Sequence, residues 1–297
     1  MTASGAPAPT VGVVVLTMGD REAELRALLD SVAAQEGPPA TVVVLGQGVK
    51  PPALPGASVT AVELPENLGI PGGRNAGVQW LRDHGGVDVV VVLDDDGLLP
   101  RTDTLQRVRE AFAENPRLGV VGFRIVDEEG LTQHRHVPRL GGADPALSGP
   151  VTTFLGGAHA IRMSVIDQVG DFPAPFFYAH EETDFAWRAL DAGWDIHYRA
   201  DLLLRHPHTA ASRHAVYYRN TGRNRVWLAR RHLPAVLVPV YLATWAAYTL
   251  TQRPPLPGLK SWWAGFFEGI RVPCPPRQPM RWRTVWRMTR LGRPPII

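Results

Sequence analysis

Cysteine is nearly absent: Cys274 is the only one in 297 residues. That excludes an internal disulfide and a multi-cysteine zinc site, and it fits a reduced compartment. Met1 to Thr10 has no basic stretch followed by an apolar one, so no signal peptide is expected and the segment reads as flexible. Long hydrophobic runs are also missing. Leu233 to Leu250 is free of charge for 18 residues but contains Pro234 and Pro239, and a bilayer span needs about 20. Acid is scarce after Asp201, where Glu268 alone opposes sixteen Lys and Arg. Up to Asp201 the balance is reversed, with twenty-seven Asp and Glu against fifteen Lys and Arg, so the net charge of +3 conceals two halves of opposite sign. Six of the nine Trp lie in the basic part. Such a region is drawn to an anionic surface. Its uncharged run favours a membrane, and no nucleic-acid partner is expected.

The acidic part alternates strand and helix patterns. Val11–Thr17, Thr41–Leu45, Val59–Leu64 and Val87–Leu93 are apolar and rich in β-branched residues, as strands buried on both faces are. Helical spacing places Leu25, Leu28, Leu29 and Val32 on one face, and Ala76–His84 and Thr104–Asn115 also read as helices. Gly119–Val126, Trp194–Tyr198 and the apolar run Leu202–Leu204 return to the sheet. The expected class is α/β, a doubly wound, mostly parallel sheet flanked by helices. A helix over Tyr217–His232 then leads into a basic, hydrophobic extension. Ligands bind such sheets beyond the carboxyl ends of the strands. That rim would carry Thr17 to Arg21, Gly46-Gln47-Gly48 and Asp94-Asp95-Asp96.

Three adjacent carboxylates at a strand end repel one another, and burial without a partner is costly. A divalent cation removes the conflict, and hard oxygen ligands suit Mg²⁺ or Mn²⁺; a solvated Asp-Gly turn is the plainer alternative. The Gly-rich segment Pro65–Gly77 contains Arg74 and opens into a helix. It could hold a phosphate, or be an ordinary loop with Arg74 in solvent. Glu181, Glu182 and Asp184 stand at a helix start, either as caps or as a site where neighbouring carboxylates raise one pKa for use as a base. His206 and His208 are candidate metal ligands. Leu233–Leu250 is expected to be an interfacial or re-entrant helix pair, or a helix packed on the main domain or in a homo-oligomer contact. Trp282 and Trp286 stand at headgroup depth in the interfacial reading.

In this order the motifs resemble glycosyltransferase family 2, the inverting GT-A enzymes, especially bacterial members acting on cell-envelope glycans, rhamnosyltransferases among them. The resemblance rests on the segment through Leu16-Thr17-Met18-Gly19-Asp20-Arg21, on Asn67-Leu68-Gly69 with Gly72-Gly73-Arg74-Asn75, and on Asp94-Asp95-Asp96. Gly156-Gly157-Ala158, Glu181-Glu182-Thr183-Asp184 and His206 complete it. It covers residues 10 to 230 and implies a GT-A catalytic domain over 11–230, with 231–297 as a membrane-associating or oligomerising extension. The resemblance also implies transfer from a nucleotide-diphosphate sugar, UDP- or dTDP-linked, to a glycan or lipid-linked acceptor at the inner face of the cytoplasmic membrane. Asp96, Asp94 and a histidine (His206, with His208 beside it) would hold Mn²⁺ or Mg²⁺. Thr17, Arg21, Gln47, Asn67, Gly69, Arg74, Asp94, Asp95, Gly156 and Gly157 would line the donor site. Glu182 would be the base, with Glu181 and Asp184 as rivals or acceptor contacts. Many relatives carry an Asp after the second strand to read the base, and here Gln47 is the candidate substitute. A GT-A protein that binds sugar nucleotides without turnover, or a sugar nucleotidyltransferase, is the alternative reading.

Overall fold

A computed structural model describes residues 7–53, 59–140, 144–207 and 215–297. His208 falls outside them. The valine-rich strands β1 (Val11–Thr17), β2 (Thr41–Gly46), β3 (Val59–Glu63) and β4 (Val89–Asp94) pair in parallel, with β1 between β2 and β4. Their branched side chains fill both faces of the pleat. Helix α1 (Glu22–Ala33) lays Leu25, Leu28, Leu29 and Val32 against one face. Helix α2 (Gly69–His84) covers the other.

The sheet continues through α3 (Thr104–Glu114), β5 (Leu118–Val126), the short β6 (Gly149–Pro150), β7 (Ala158–Arg162), α4 (Met163–Val169), α5 (Glu181–Ala192) and β8 (Asp195–Arg205). Eight strands run in the order β3-β2-β1-β4-β7-β5-β8-β6. β7 is antiparallel to β4 and β5, whereas β5 and β8 are parallel. Trp194–Tyr198 and Leu202–Leu204, read separately in the sequence, belong largely to one strand. The register of β8 slips opposite Phe123/Arg124, where Arg199 and Asp201 pair at 2.7 Å.

The largest departure from expectation is in α2. Its helix begins at Gly69, seven residues before the predicted Ala76, and absorbs most of the Gly-rich segment. Pro71 is tolerated because first-turn N–H groups have no helical partner. The glycines are packing positions: a Cβ on Gly77 would come within 3.0 Å of Val14 and Leu45.

The C-terminal part is helical: α6 (Ala215–His232), α7 (Leu237–Thr251), α8 (Leu256–Arg271) and α9 (Trp282–Arg290). It is not set apart. Leu233, Tyr241, Met280, Val285 and Met288 share a continuous buried core with Val14, Phe154 and Phe185, so the expected boundary at 231 crosses one packed body. At Gly265 a Cβ would collide with the Arg219 carbonyl, so α6 and α8 touch backbone to backbone. Among the described residues no helix is long and apolar enough to cross a membrane.

Candidate active site

The carboxyl ends of β1, β2 and β4 form the rim of a cavity of about 410 Å³ lined by Thr17, Arg21, Gln47, Asn67, Asp94 and Asp96 among others. Parallel pairing sets these positions side by side: Leu16 lies opposite Asp94, and Thr17 opposite Gly46. Beyond Asp94 the chain turns, with the Gly97 N–H donating to the Asp94 carbonyl at 3.0 Å. An antiparallel bridge between Leu98 and Arg205 then delivers His206 from the end of β8. Its Nε2 lies 2.9 Å from Asp96 Oδ1 and 3.9 Å from Asp94 Oδ2.

One donor atom each from Asp94, Asp96 and His206 falls within 4.8 Å of the others. Two observations show that a hard divalent cation fits. Asp96 Oδ1 is buried without a hydrogen bond of acceptable geometry, and His206 Nδ1 faces the Pro207 carbonyl at 2.9 Å, the outer contact that orients metal-ligating imidazoles. Side chains neutralise the acids here. Arg21 donates to Asp96 at 2.6 Å and to Asp95 at 3.3 Å while lining the cleft. Burial raises Asp96, but His206 and Arg21 outweigh it and hold the carboxyl below its ordinary value. Burial would lower His206, yet the neighbouring Asp96 carboxylate outweighs it and lifts it to about 9. Asp95 is pushed up by burial against the Thr17 hydroxyl and Arg21.

Beside this rim lies a second group. Arg74 is buried, and its Nη1 donates to Glu181 at 3.2 Å and to Glu182 at 3.1 Å, while Nη2 donates to the Gly156 carbonyl at 3.0 Å. Arg74 therefore clamps the carboxylate pair, a role the phosphate reading did not contain, although it still lines the cleft. The glycines at 156 and 157 serve close approach. A Cβ on Gly156 would collide with Glu182 Oε1, and one on Gly157 would stand 2.7 Å from Asp94 Oδ2. The Glu181 side chain is 3% exposed and Glu182 16%. Burial, then the charge of Glu182, pushes Glu181 well above the usual carboxylate range.

Asp184 is not brought to the cleft. It is fully buried, with Arg188 Nε at 2.9 Å, Arg231 Nη1 at 3.0 Å and His232 Nε2 at 2.6 Å. Burial would raise its pKa, but His232 and the two arginines hold it at about 2. It ties α5 to α6. Gln47 is similarly occupied: its Nε2 donates to the Gly69 carbonyl at 2.9 Å and its Oε1 accepts from the Leu68 N–H at 3.0 Å. The carboxamide thus fixes the start of α2. Asn67 accepts from the Gly69 N–H at 2.8 Å. Gly69 needs its positive φ of 70°, and a Cβ there would strike the Phe177 carbonyl.

Sequence reasoning missed two supports. Asn224 on α6 donates to the carbonyls of Phe176, Tyr178 and Ala179 at 2.8–3.0 Å. It holds a turn in which Phe177, Ala179 and His180 all have positive φ, strain that persists only when its surroundings impose it. His159 lies fully buried on β7, with Nδ1 3.1 Å from the carbonyls of Leu155 and Gly156. A polar Asn in mid-helix is the one signal that could have flagged Asn224.

Residues 13–170 match glycosyl transferase family 2, more than half of the 297 residues. The chain belongs to this family. The glycosyl transferase family 2 segment contains the rim acids, Arg74 and the Gly156-Gly157 pair, whereas Glu182 and His206 lie beyond it. The low-salt glycan biosynthesis hexosyltransferase of Haloferax volcanii is 29% identical over 137 residues, 41% of this chain and 43% of that protein. The chain thus matches less than half the length of that curated relative. Among solved structures, a Pyrobaculum calidifontis mannosyltransferase in complex with GDP-Man and Mn²⁺ is similar at TM-score 0.54 and 17% identity, over 96% of this chain and 73% of that one. GalNAc-T7 with UDP, GalNAc and Mn²⁺ gives 0.60 and 12%, over 91% and 59%. TarS of Staphylococcus aureus gives 0.53 and 16%, over 74% and 39%. At these identities the likeness carries the fold, which is GT-A.

Proposed function

We propose that this protein transfers a sugar from a nucleoside-diphosphate sugar to an acceptor hydroxyl by single displacement with inversion. One observation carries the reading: the Asp94–Asp96–His206 cluster opens on the same cleft as Arg74, whose guanidinium holds Glu182. In this reading the diphosphate lies at the rim acids and the sugar lies toward Gly156 and Gly157. A Mn²⁺ or Mg²⁺ ion held by Asp94, Asp96 and His206 would supply positive charge to the departing diphosphate. Glu182 is the base, because it is the more open carboxylate and Arg74 fixes its direction. It takes the proton of the acceptor hydroxyl as that oxygen bonds to the anomeric carbon and the bond from that carbon to the diphosphate breaks. The hexosyl relative and the nucleotide-bound neighbours support this class. Gln47, occupied by α2, leaves the nucleobase to other contacts.

The acceptor is proposed to be glycan or lipid-linked, with the protein peripheral on an anionic membrane. Exposed Val236, Leu250, Leu256, Ile270, Trp282 and Trp286 lie in the basic part of the chain, the pairing of apolar and cationic groups that interfacial binding uses. The test of the chemistry is Glu182→Gln, assayed with a panel of nucleotide sugars. Transfer should fall by about 10²–10⁴ or more while calorimetry finds donor binding kept. Glu181→Gln, at the more buried carboxylate of the pair, should retain more activity than Glu182→Gln. Equal activity of wild type and Glu182→Gln would sink the assignment of the base. Release of pyrophosphate instead of nucleoside diphosphate would replace the reading with nucleotidyl transfer.

A further inference from the structure

A second cavity lies at the N-terminal turn of α5. It is small, about 40 Å³, and is lined by His180, Thr183, Arg225, Tyr241, Trp245 and Arg293 among others. His180 and Thr183 flank the carboxylate pair in the chain, so the cavity is lined by the same turn that carries the proposed base. It opens by shared lining, through Thr153, Thr183, Trp245 and Arg293, into a groove of about 490 Å³. Apolar side chains of Val137, Leu140, Phe154 and Tyr248 line that groove.

The small cavity is rich in donors and poor in acid. Among the described residues no carboxylate forms an ion pair with Arg225 or Arg293. Arg225 packs its guanidinium 3.2 Å over the Trp245 ring and donates to the Tyr241 hydroxyl at 3.4 Å. Trp245 Nε1 and His180 Nε2 are buried with no hydrogen-bond partner. A buried N–H left unpaired costs about 1–3 kcal/mol, and two uncompensated guanidiniums repel each other. Burial lowers the pKa of Arg225 and Arg293. It also lowers His180 well below its ordinary value, with both arginines adding to the effect. The cavity therefore gathers two guanidiniums and an unpaired indole N–H with no acidic side chain in its lining, and about 40 Å³ exceeds the ~10–15 Å³ that one water needs.

We infer that this cavity binds the phosphoryl group of an amphiphilic acceptor, with Arg225, Arg293 and Trp245 Nε1 as donors and the adjoining groove taking the apolar chain. This rests on the transfer reading above and deepens it, since a phosphate anchored there would hold the acceptor at the turn that carries Glu182. The test is calorimetric titration of the full chain with decyl phosphate, inorganic phosphate and decanol, with UDP titrated in Mn²⁺ as the control for the cleft. Decyl phosphate should bind best, inorganic phosphate more weakly and decanol least. Arg293→Gln should weaken decyl phosphate by about tenfold or more, the size of a lost charge-assisted hydrogen bond. Trp245→Phe should weaken it by less, and both should keep UDP binding, which also certifies that they fold. No phosphate binding by the wild type, or equal binding by wild type and both variants, would overturn the inference. Inorganic phosphate binding as tightly as decyl phosphate removes the groove from it, and decanol binding as tightly removes the anion site. Loss of UDP binding by the wild type with decyl phosphate binding kept would strike the donor reading alone.

Discussion

At Gly156 the absence of a side chain is what lets Glu182 meet Arg74. A Cβ there would collide with Glu182 Oε1 and come within 2.7 Å of Arg74 Nη2. Both are ends of flexible side chains, so the fold can absorb a methyl while the base is displaced. Gly156→Ala should therefore lower kcat by about 10²-fold, as misplacements near 1 Å do, with little change in Tm. A calorimetric scan beside initial rates checks this, and an unchanged kcat would detach Glu182 from the chemistry. At the same scale, Asp94 and Asp96 are functional candidates because the sheet exposes them to one cavity, while Asp184 is a buried ion-pair hub. All three are aspartates at element ends, and nothing in their local sequence separates them.

Helix α5 is held at both ends by pairs that reach the C-terminal helices. Asp184 binds Arg231 and His232 of α6, and Asp191 accepts from Thr284 of α9. Removing a buried partner strands its cations, so Asp184→Ala should cost about 3–5 kcal/mol. Chemical denaturation at pH 7 measures it. The sign of the pH effect follows from the depressed pKa. With the folded value at about 2 and the unfolded one near its ordinary value of about 3.9, the contribution is complete above about pH 4. It is lost as pH falls toward 2. Wild-type stability should drop across that window by about 2–3 kcal/mol more than that of Asp184→Ala. Parallel pH curves would show that Asp184 is not ionised in the fold.

Taken whole, the molecule separates charge: acids gather at the cleft and cations on the C-terminal helices. Because Leu233, Tyr241 and Met280 complete the core, deleting 231–297 should give an unstable chain rather than a soluble catalytic domain. The membrane proposal is better tested at the surface. Trp282 is 49% exposed and Trp286 60%, and replacing both with Ser should reduce flotation with anionic vesicles by about tenfold or more while leaving Tm unchanged. Equal flotation of the double variant would move the contact to α7 or α8.

The strand pattern, the acidic rim and the Glu181–Glu182 pair were legible in the sequence, because valine runs, clustered carboxylates and helix-start acids each imply a local physical conflict with few solutions. Local chemistry also nominated His206, but only the bridge between Leu98 and Arg205 could bring it to Asp96 across more than a hundred residues. The roles of Gln47, Arg74, Asn224 and Asp184 were illegible for the same reason. Each is set by a partner far away in the chain, and a side chain's hydrogen-bond partner is a property of packing, not of its neighbours in sequence. The start of α2 shows the limit most plainly: Gly72 and Gly73 read as loop, yet they lie in the helix, packed so closely that a Cβ would meet Leu68 in one case and Gln47 and Leu16 in the other. The sequence alone determined which atoms are available for chemistry, and tertiary packing decided which of them face the cleft.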